Sequence, residues 1–281
     1  MITRGDRPLG LVMVAPAVVV LAIVTLYPTL AVLALSLQRR VPVFGISEVI
    51  GFANYRFLAR DPAFWDAARV TLTFTVVSVA IETVLGVAVA LVLRDQVRYR
   101  TVAIGLLLLP WCLPGVVTAR TFEWLFHPTG GLVSANWLGD PGLALAAVTI
   151  ADVWRTMPFV ALLTYARLLT IPDSIYEAAA VDGAGRFTTF RAMTLPMLAP
   201  VLLVTTLFRT LDALRVFDLV FVLTGGGPAG TTETLTLYAY RNFFQTLELG
   251  FGAAIATVVF ALVGATAWLY LLAIERADAT T

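Results

Sequence analysis

The chain has 281 residues and a formal net charge of +1, so its charge gives no indication of a nucleic-acid partner. Hydrophobic residues make up 59% of the chain and charged residues 13%, against about 45–50% and about 25% in ordinary soluble domains. These proportions exclude an ordinary soluble domain. Because the apolar runs are long and do not alternate, they predict a helical integral membrane protein.

The polar residue types exclude several kinds of chemistry. All 19 basic residues are Arg, and Lys is absent. A Walker A phosphate loop depends on its Lys, so the chain cannot hold an ATP site of that type. Cys112 and His127 are each the single residue of their type, which excludes an internal disulfide and a Cys/His metal cluster. We therefore predict no catalytic residue, no metal and no cofactor in this chain.

Six apolar segments follow one another along the chain, and each exceeds the roughly 20 residues that cross a hydrocarbon core. The first is too long for the core of a signal peptide. We predict an all-α integral membrane protein with six transmembrane helices, forming a single transmembrane domain over residues 1–281. The spans are approximately residues 9–37, 67–93, 102–126, 143–169, 197–223 and 250–274.

Arg counts predict the orientation of these spans. Six spans place both ends of the chain on one side, and eight Arg residues, Arg4 and Arg98 among them, lie in the segments assigned to the inside against five outside. The short loop RDQVRYR at residues 94–100 is the clearest indicator. We predict cytoplasmic N- and C-termini.

Two connecting segments have distinct compositions. The first outer loop mixes aromatic residues with charges, as in GFANYRFLARDPAFW, which predicts a helix along the interface before the second span. The Gly-rich stretch at residues 223–234 is predicted to be a loop, because it lacks the strand and helix that flank a phosphate cradle.

A short polar insert, IPDSIYEAAAVDGAGRFTTFRAMTLP, separates the fourth and fifth spans; we call residues 171–196 the EAA segment. Ser174 and Glu177 have the spacing of a capping box, which predicts a helix start. Gly183 is predicted to end that helix, since Gly tolerates the left-handed conformation.

A second short helical piece is predicted at about residues 186–193, before Pro196 opens the fifth span. Two short helices joined at a Gly turn, with three successive alanines, would form a plug for a groove on a partner. The residues alone equally allow an ordinary surface loop.

The fourth span carries a polar face. Asp152, Arg155, Thr156 and Phe159 share it by i, i+3, i+4, i+7 spacing, and Trp154 lies beside it. Charged residues within spans are costly and therefore candidates for function. Carboxylates and guanidinium groups can hydrogen-bond sugar hydroxyls, while aromatic rings cover the apolar faces of a sugar.

The fifth span carries a similar face, with Arg209, Asp212 and Ala213. A second interpretation is that Arg209 and Asp212, or Asp212 and Arg215, are i, i+3 pairs that only neutralise each other.

Three further charged residues lie in or near the spans: Glu82, Arg120 and Glu123. For Arg120 and Glu123, packing, gating and substrate contact remain alternatives.

The EAA segment resembles the EAA loop of bacterial ABC importer permeases. The shared pattern is Glu177-Ala178-Ala179, Gly183 after three residues, then Leu195-Pro196, with Met193 in place of the family's Ile. The stretches FANYRFL, DVWRTMPFVALL, FDLVFVLTGGGP and TETLTLYAYRNFFQTLELGFGAA also resemble sugar-importer permeases. Together they cover nearly the whole chain and are similar to the first permease subunit of maltose-, trehalose- and glycerol-phosphate-type systems.

This resemblance implies a type I ABC importer permease in the bacterial inner membrane, crossing it several times. The EAA segment would then be a coupling helix that docks in an ATPase subunit through Glu177, Ala178, Ala179, Asp182 and Gly183. The partners implied are a second homologous permease, two ATP-binding subunits that hold ATP and Mg²⁺, an extracytoplasmic solute-binding protein, the sugar and membrane lipid.

The same register implies which residues contact the substrate. The family's sugar contacts carry over to Asp152, Trp154, Thr156, Phe159, Arg209 and Ala213, and the helical faces add Arg155 and Asp212. Arg209 and Ala213 depart from the small or amide residues of the maltose type, so we expect a different disaccharide, such as trehalose.

Three alternatives remain. One is an importer for glycerol-3-phosphate or another polyol, since Arg155 and Arg209 could meet a phosphate. The second is an ion-driven secondary transporter, which would show an inverted repeat. The third is an intramembrane enzyme, which would need a nucleophile–base or metal constellation. One His and one Cys give little from which to build one.

Overall fold

A computed structural model describes the backbone of residues 7–95, 99–133 and 135–278 and the side chains of residues 13–95, 99–133 and 135–275. Arg4 and Arg98, used to predict the orientation, lie outside the described residues. The described ranges are mostly helical, with thirteen α-helices and one two-stranded sheet. In chain order these are α1 (Arg7–Leu21), α2 (Tyr27–Ser36), β1 (Gln38–Val41), β2 (Ile46–Val49), α3 (Ala53–Leu58), α4 (Pro62–Asp95), α5 (Arg100–Cys112), α6 (Gly115–Leu125), α7 (Ala144–Leu168), α8 (Asp173–Val181), α9 (Arg186–Thr189), α10 (Leu195–Ala213), α11 (Asp218–Leu223), α12 (Leu235–Tyr240) and α13 (Leu249–Asp278).

All six apolar segments form helices. Within the described residues, five continuous helices are long and apolar enough to cross a membrane, and a bent helix pair gives a sixth span if the pair is counted as one. A π-helical turn joins α1 to α2, and a second joins α9 to α10, so that each pair forms one continuous helix. The continuous helices are Met13–Ser36, Pro62–Asp95, Ala144–Leu168, Arg186–Ala213 and Leu249–Glu275.

The third span, predicted as one helix over residues 102–126, is broken into two. α5 and α6 meet at an angle of 94°. Leu113 adopts an extended conformation, with φ −77° and ψ 135°, immediately before Pro114. A residue before proline is pushed out of the helical region, which accounts for the break.

The predicted end of the fifth span was also wrong. α10 ends at Ala213, and residues 218–223 form the separate helix α11. Both segments are apolar, so hydropathy merged them. α11 packs mainly against α6 and also contacts α7.

The first outer loop contains a hairpin that was not predicted. β1 and β2 pair antiparallel with Gln38 opposite Val49, and Gly45 turns the chain with φ +64°. Neither β1, with the sequence QRRV, nor β2, with the sequence ISEV, alternates apolar with polar residues, so the strand pattern was absent. Of the helix predicted before the second span, only α3 forms as a separate helix, because α4 already begins at Pro62. Its position along the membrane interface stays a prediction.

The chain divides into two compact units. The first comprises the residues up to Asp61 together with Tyr238–Phe260, and it contains the hairpin and α3. The second comprises Pro62–Leu237 and the residues from Ala261 onward. The single transmembrane domain over residues 1–281 stays a prediction beside this division.

The second unit is built around α4 and α7, which share the largest helix–helix contact, with α10 packed against both. Gly86 on α4 makes this approach possible. A Cβ at Gly86 would lie 2.7 Å from Val160 Cγ1 and 3.1 Å from the backbone nitrogen of Ala161. These three helices also form an apolar cluster near the EAA segment, to which Ile171, the first residue of that segment, contributes. The buried members are Val87, Ala90, Leu93, Tyr165, Leu168, Ile171 and Leu198.

Candidate functional site

The first helix of the EAA segment, α8, is anchored to the second unit along one face. Ile175 and Tyr176 pack against the apolar cluster, and Ala179 is buried. Arg94, at the end of α4, donates from Nη2 to Asp173 Oδ1 at 2.8 Å, and its guanidinium lies 4.2 Å from the centre of the Tyr176 ring. An ion pair, a cation–π contact and apolar packing therefore hold α8 in place.

The C-terminus of α8 forms a Schellman motif. Gly183 N–H donates to Ala180 O at 3.1 Å, and Ala184 N–H donates to Ala179 O at 2.9 Å. Gly183 has φ +73°. These two bonds and the left-handed glycine define that motif, so the predicted role of Gly183 as helix terminator is confirmed.

The predicted capping box is wrong. The N-cap residue of α8 is Pro172, and no side-chain hydrogen bond caps this end. Pro172 has extended φ and ψ, and the helix already begins at Asp173 instead of after Ser174. Ser174 and Glu177 therefore lie within the helix, where both are exposed.

The predicted second helical piece is not separate from the fifth span. α9, the π-helical turn at Phe190–Thr194 and α10 form one helix of 28 residues, Arg186–Ala213. Pro196 is the second residue of α10 and lies inside this continuous helix, directly after the π-helical turn. Because proline has no backbone N–H, the helix lacks one hydrogen bond at this point. The turn at residues 182–185 is thus all that separates α8 from the helix of the fifth span.

The two sides of this turn expose apolar side chains. Val181 is 87% exposed and Phe187 is 74% exposed. Glu177, Ala178, Asp182 and Gly183 are also exposed, whereas Ala179 faces the interior. Of the predicted coupling residues, four therefore lie on the accessible side and one supports the helix from within.

A second set of polar residues, which we call the charge network, connects three helices of the second unit. Its centre is Arg209 on α10. Arg209 Nε donates to Glu82 Oε2 at 2.6 Å, and Nη2 donates to Glu82 Oε1 at 3.0 Å and to Asp152 Oδ2 at 3.1 Å. Arg209 Nη1 donates to Asp212 Oδ2 at 2.5 Å. The members are Ser78, Glu82, Asp152, Arg155, Thr156, Arg209 and Asp212.

The remaining members provide further hydrogen bonds to the two buried carboxylates, those of Glu82 and Asp152. Thr156 Oγ1 donates to Glu82 Oε1 at 2.7 Å, and Ser78 Oγ lies 2.9 Å from Glu82 Oε1 and 2.8 Å from Asp152 Oδ2. Arg155 Nη2 donates to Asp152 Oδ1 at 3.3 Å. Buried charges require such partners, because an unpaired charge in a low-dielectric interior is very costly.

The network is buried at its centre and open at one side. Glu82, Asp152 and Arg209 are 0%, 1% and 4% exposed. The side chain of Asp212 is 55% exposed. Asp212 thus carries the network from the interior to the accessible surface.

The structure distinguishes between the two charge pairs that the sequence left open. Arg209 pairs with Asp212, whereas Arg215 donates from Nε to Leu211 O at 2.9 Å. Arg209 also bridges to α4 and α7, so it does more than neutralise its neighbour on α10.

The predicted substrate residues fall into two groups. Asp152, Arg155, Thr156, Arg209 and Asp212 come together in the charge network. The aromatic pair is separate from it: Trp154 lies edge-on to Phe122 with ring centres 5.5 Å apart, and Phe159 stacks on Trp111 at 5.8 Å.

Trp154 is 40% exposed, while Ala213 is 2% exposed. Sugar contact by the residues of either group stays a prediction.

Glu82 was noted in the sequence but had no predicted role. Its position in an otherwise apolar run was the available signal, since an ionisable residue within a membrane is a functional candidate. The sequence did not reveal its partner, because Arg209 is 127 residues further along the chain. Among the described residues, no group of three or more His, Cys, Asp or Glu is placed to hold a metal ion.

Comparison with known proteins gives a consistent picture. Residues 82–276 match the family described as "Binding-protein-dependent transport system inner membrane component". The chain is 40% identical over 276 residues to the trehalose/maltose transport system permease protein MalF of Thermococcus litoralis, covering 95% of this chain and 93% of that protein.

Two further relatives are similar over most of their length. The sulfoquinovosyl glycerol transport system permease protein SmoG of Agrobacterium fabrum is 36% identical over 98% of this chain and 92% of that protein. The trehalose transport system permease protein SugA of Mycobacterium tuberculosis is 36% identical over 95% of this chain and 89% of that protein.

Among solved structures, a chain of a bacterial ABC transporter involved in the import of the acidic polysaccharide alginate matches with a TM-score of 0.80. Its identity is 20%, over 99% of this chain and 96% of that chain. At this identity the match supports the fold.

Proposed function

This chain belongs to the family of binding-protein-dependent transport system inner membrane components, and on that basis we propose that it is the permease subunit of an ATP-driven importer for an uncharged disaccharide such as trehalose. It is a multi-pass protein of the inner membrane and a transport component rather than an enzyme. The family assignment excludes the ion-driven secondary transporter that the sequence alone left open.

The exposed tip of the EAA segment is the observation that carries the coupling part of this proposal. Val181 and Phe187 present apolar side chains to the outside beside the turn at Gly183. Exposed apolar side chains rimmed by polar residues mark protein contact sites. Glu177 and Asp182 supply that rim, and the groove they would enter belongs to an ATP-binding subunit.

The proposed assembly is motivated by the missing nucleotide site. The chain has no Lys for a Walker A loop, so ATP and Mg²⁺ would be bound by partners. The complex would contain this chain once, a second homologous permease, two ATP-binding subunits and an extracytoplasmic solute-binding protein.

The proposed sugar site is the open side of the charge network. Asp212 has a largely exposed carboxylate, which can accept hydrogen bonds from hydroxyl groups. Trp154 lies outside the network and would add an exposed ring to the site. Arg155 and Phe159 are half-buried. The buried members Asp152, Thr156 and Arg209 would support these groups from behind, as would Ala213. A few placed polar groups in an otherwise apolar cavity are typical of ligand sites.

An anionic saccharide or a phosphorylated polyol is the second candidate. It is favoured by Arg155, whose buried Nε has no hydrogen-bond partner among the described residues. The relative SmoG is named for sulfoquinovosyl glycerol, which is an anionic glycoside. Against it stands the exposed carboxylate of Asp212, which would repel an anion.

Reconstituted transport tests this proposal. The purified complex in proteoliposomes, supplied with its binding protein and internal ATP, is expected to import labelled trehalose. Asp212→Ala removes a hydrogen-bond acceptor, whose loss costs about 1–3 kcal/mol, so the affinity should fall roughly 5- to 150-fold. Asp66→Ala, which removes an exposed carboxylate outside the network, should leave uptake unchanged.

Separate uptake assays with each solute distinguish the two candidates. Uptake of sulfoquinovosyl glycerol or glycerol-3-phosphate without uptake of trehalose would support the second candidate. If neither class is imported, the assignment to saccharides is wrong.

A further inference from the structure

The charge network is a directional contact among α4, α7 and α10. Glu82, Asp152 and Arg209 each come from a different one of these helices and are almost completely buried. The apolar cluster connects the same helices, but apolar contacts are non-directional and permit small sliding movements. The polar contacts specify both distance and orientation.

Glu82 contributes most to that geometry. Its two oxygens accept from Nε and Nη2 of Arg209, which fixes the plane of the guanidinium as well as its position. The third nitrogen, Nη1, is then directed at Asp212. Rotation or translation of α10 relative to α4 would break at least one of these bonds.

α10 is also the C-terminal part of the continuous helix that starts within the EAA segment. The helix Arg186–Ala213 has 28 residues, which corresponds to about 40 Å. Phe187 lies exposed at one end, and Arg209 is held by Glu82 near the other end. A displacement applied to the EAA segment therefore reaches the charge network through a single helix.

We propose that Glu82 is a positioning residue that makes α4, α7 and α10 move as one body during the transport cycle. It acts through Arg209, and Arg209 in turn sets the position of Asp212. A displacement at the EAA segment is then delivered to the open side of the network instead of being absorbed between helices. This inference rests on the proposed function through the docking of the EAA segment, and it holds whichever substrate is carried.

Distance measurements between spin labels test it. Val76 on α4 and Phe208 on α10 are 66% and 58% exposed, so both can be replaced by Cys and labelled in a Cys112→Ala background. Double electron–electron resonance on the complete complex in nanodiscs gives the distance without nucleotide and after trapping with ATP and vanadate. The expected result is one narrow distribution with the same mean in both states.

In Glu82→Gln the same distribution should broaden, and its mean should shift on trapping. Arrangements in which α10 has moved relative to α4 should become about tenfold or more populated, the change expected when a hydrogen bond to a charged group is lost. Transport per ATP hydrolysed should fall, because these arrangements absorb part of the displacement. Glu82→Asp keeps the charge but shortens the side chain, so it should show the same change if Glu82→Gln fails to assemble.

Tyr270→Phe is the matched control. It removes a hydrogen bond of 3.1 Å between Tyr270 and Thr210. Thr210 lies on the same helix as Arg209 but does not belong to the network. It should change neither the distance distribution nor transport per ATP.

Two results would overturn the proposal. One is a wild-type distance that changes between the nucleotide states. The other is a Glu82→Gln variant whose distance distribution is as narrow as that of the wild type and whose transport per ATP is unchanged. If this variant also assembles in a smaller amount, the role of Glu82 is purely structural. The comparison of wild type with Glu82→Gln in the absence of nucleotide can also be made on this chain with its second permease alone. A failure of the ATP-binding subunits to associate would contradict the proposed function, while that comparison would still decide whether Glu82 fixes α10 against α4.

Discussion

At the scale of single residues, the shape of the EAA segment depends on the backbone conformation of Gly183. Its φ of +73° lets Gly183 and Ala184 bond back to the last turn of α8. No atom of the described residues lies within 4 Å of a Cβ placed there, so the constraint is conformational and not one of space.

Gly183→Val should therefore impair coupling without a steric clash. A β-branched residue at positive φ costs about 1–2 kcal/mol, which the turn can avoid only by changing its path. We expect substrate-stimulated ATPase activity of the purified complex to fall while the variant still inserts in the membrane.

Gly185→Val provides the control. Gly185 has φ −70° and also has open space at its Cβ position, so the same side chain should be accepted. Normal stimulated ATPase activity in Gly183→Val would show that the left-handed conformation is not needed for coupling.

The same segment shows what residue types can and cannot predict. Gly183 was predicted correctly, because few residues other than Gly adopt positive φ readily. Ser174 and Glu177 were misread, since the capping box is a spacing that also occurs by chance inside a helix. The helix begins directly after Pro172, and the fixed φ of that proline was the better signal.

At the scale of elements, the tight approach of α4 and α7 depends on Gly86. A side chain there would meet Val160, which is fully buried and has no room to move. Overpacking of this kind typically costs about 1–3 kcal/mol.

Gly86→Val should lower the thermal stability of the complex accordingly. Gly105→Val on α5 is the matched control, because no described atom lies within 4 Å of a Cβ at Gly105. A scanning fluorimetry transition of Gly86→Val equal to that of the control would contradict the described packing of α4 on α7.

The prediction of elements succeeded where hydropathy alone determines them. Six apolar runs gave six spans, because each run is long enough to require burial in hydrocarbon. The bend before Pro114 and the end of α10 at Ala213 were missed, since an apolar run does not show where its backbone changes direction. Pro110 and Pro114 were visible in the sequence, but membrane helices tolerate proline, so neither one specified a break.

The charge network was predicted in part for a similar reason. The i, i+3 and i+4 spacing correctly grouped Asp152 with Thr156, and Arg209 with Asp212, because these pairs lie on one helix. The link from Arg209 to Glu82 joins residues on different helices, and a single sequence contains no signal for it.

At the scale of the whole molecule, the first span is exposed over its most apolar stretch. None of the most apolar window within Met13–Ser36 is buried in this chain, and its residues are apolar on all sides. Such a helix requires lipid or a partner around it. The sugar site proposed at the open side of the charge network would likewise need a second permease to complete a translocation path.

Native mass spectrometry of a gently solubilised complex should therefore find one copy of this chain, one different permease and two ATP-binding subunits. Phe187→Asp places a charge on the exposed tip of the EAA segment. It should release the ATP-binding subunits while the second permease stays bound. A homodimer of this chain that transports without a second permease would contradict this assembly.

The π-helical turn at Phe190–Thr194 has a consequence for how the chain length can vary. A π turn is an α-helix with one residue inserted, so removal of one residue there restores the regular helix without rotating α10. Removal of one residue between Leu198 and Arg209 would instead rotate Arg209 by about 100° and carry its guanidinium away from Glu82. A one-residue deletion is thus compatible with an intact network at the first place and incompatible at the second.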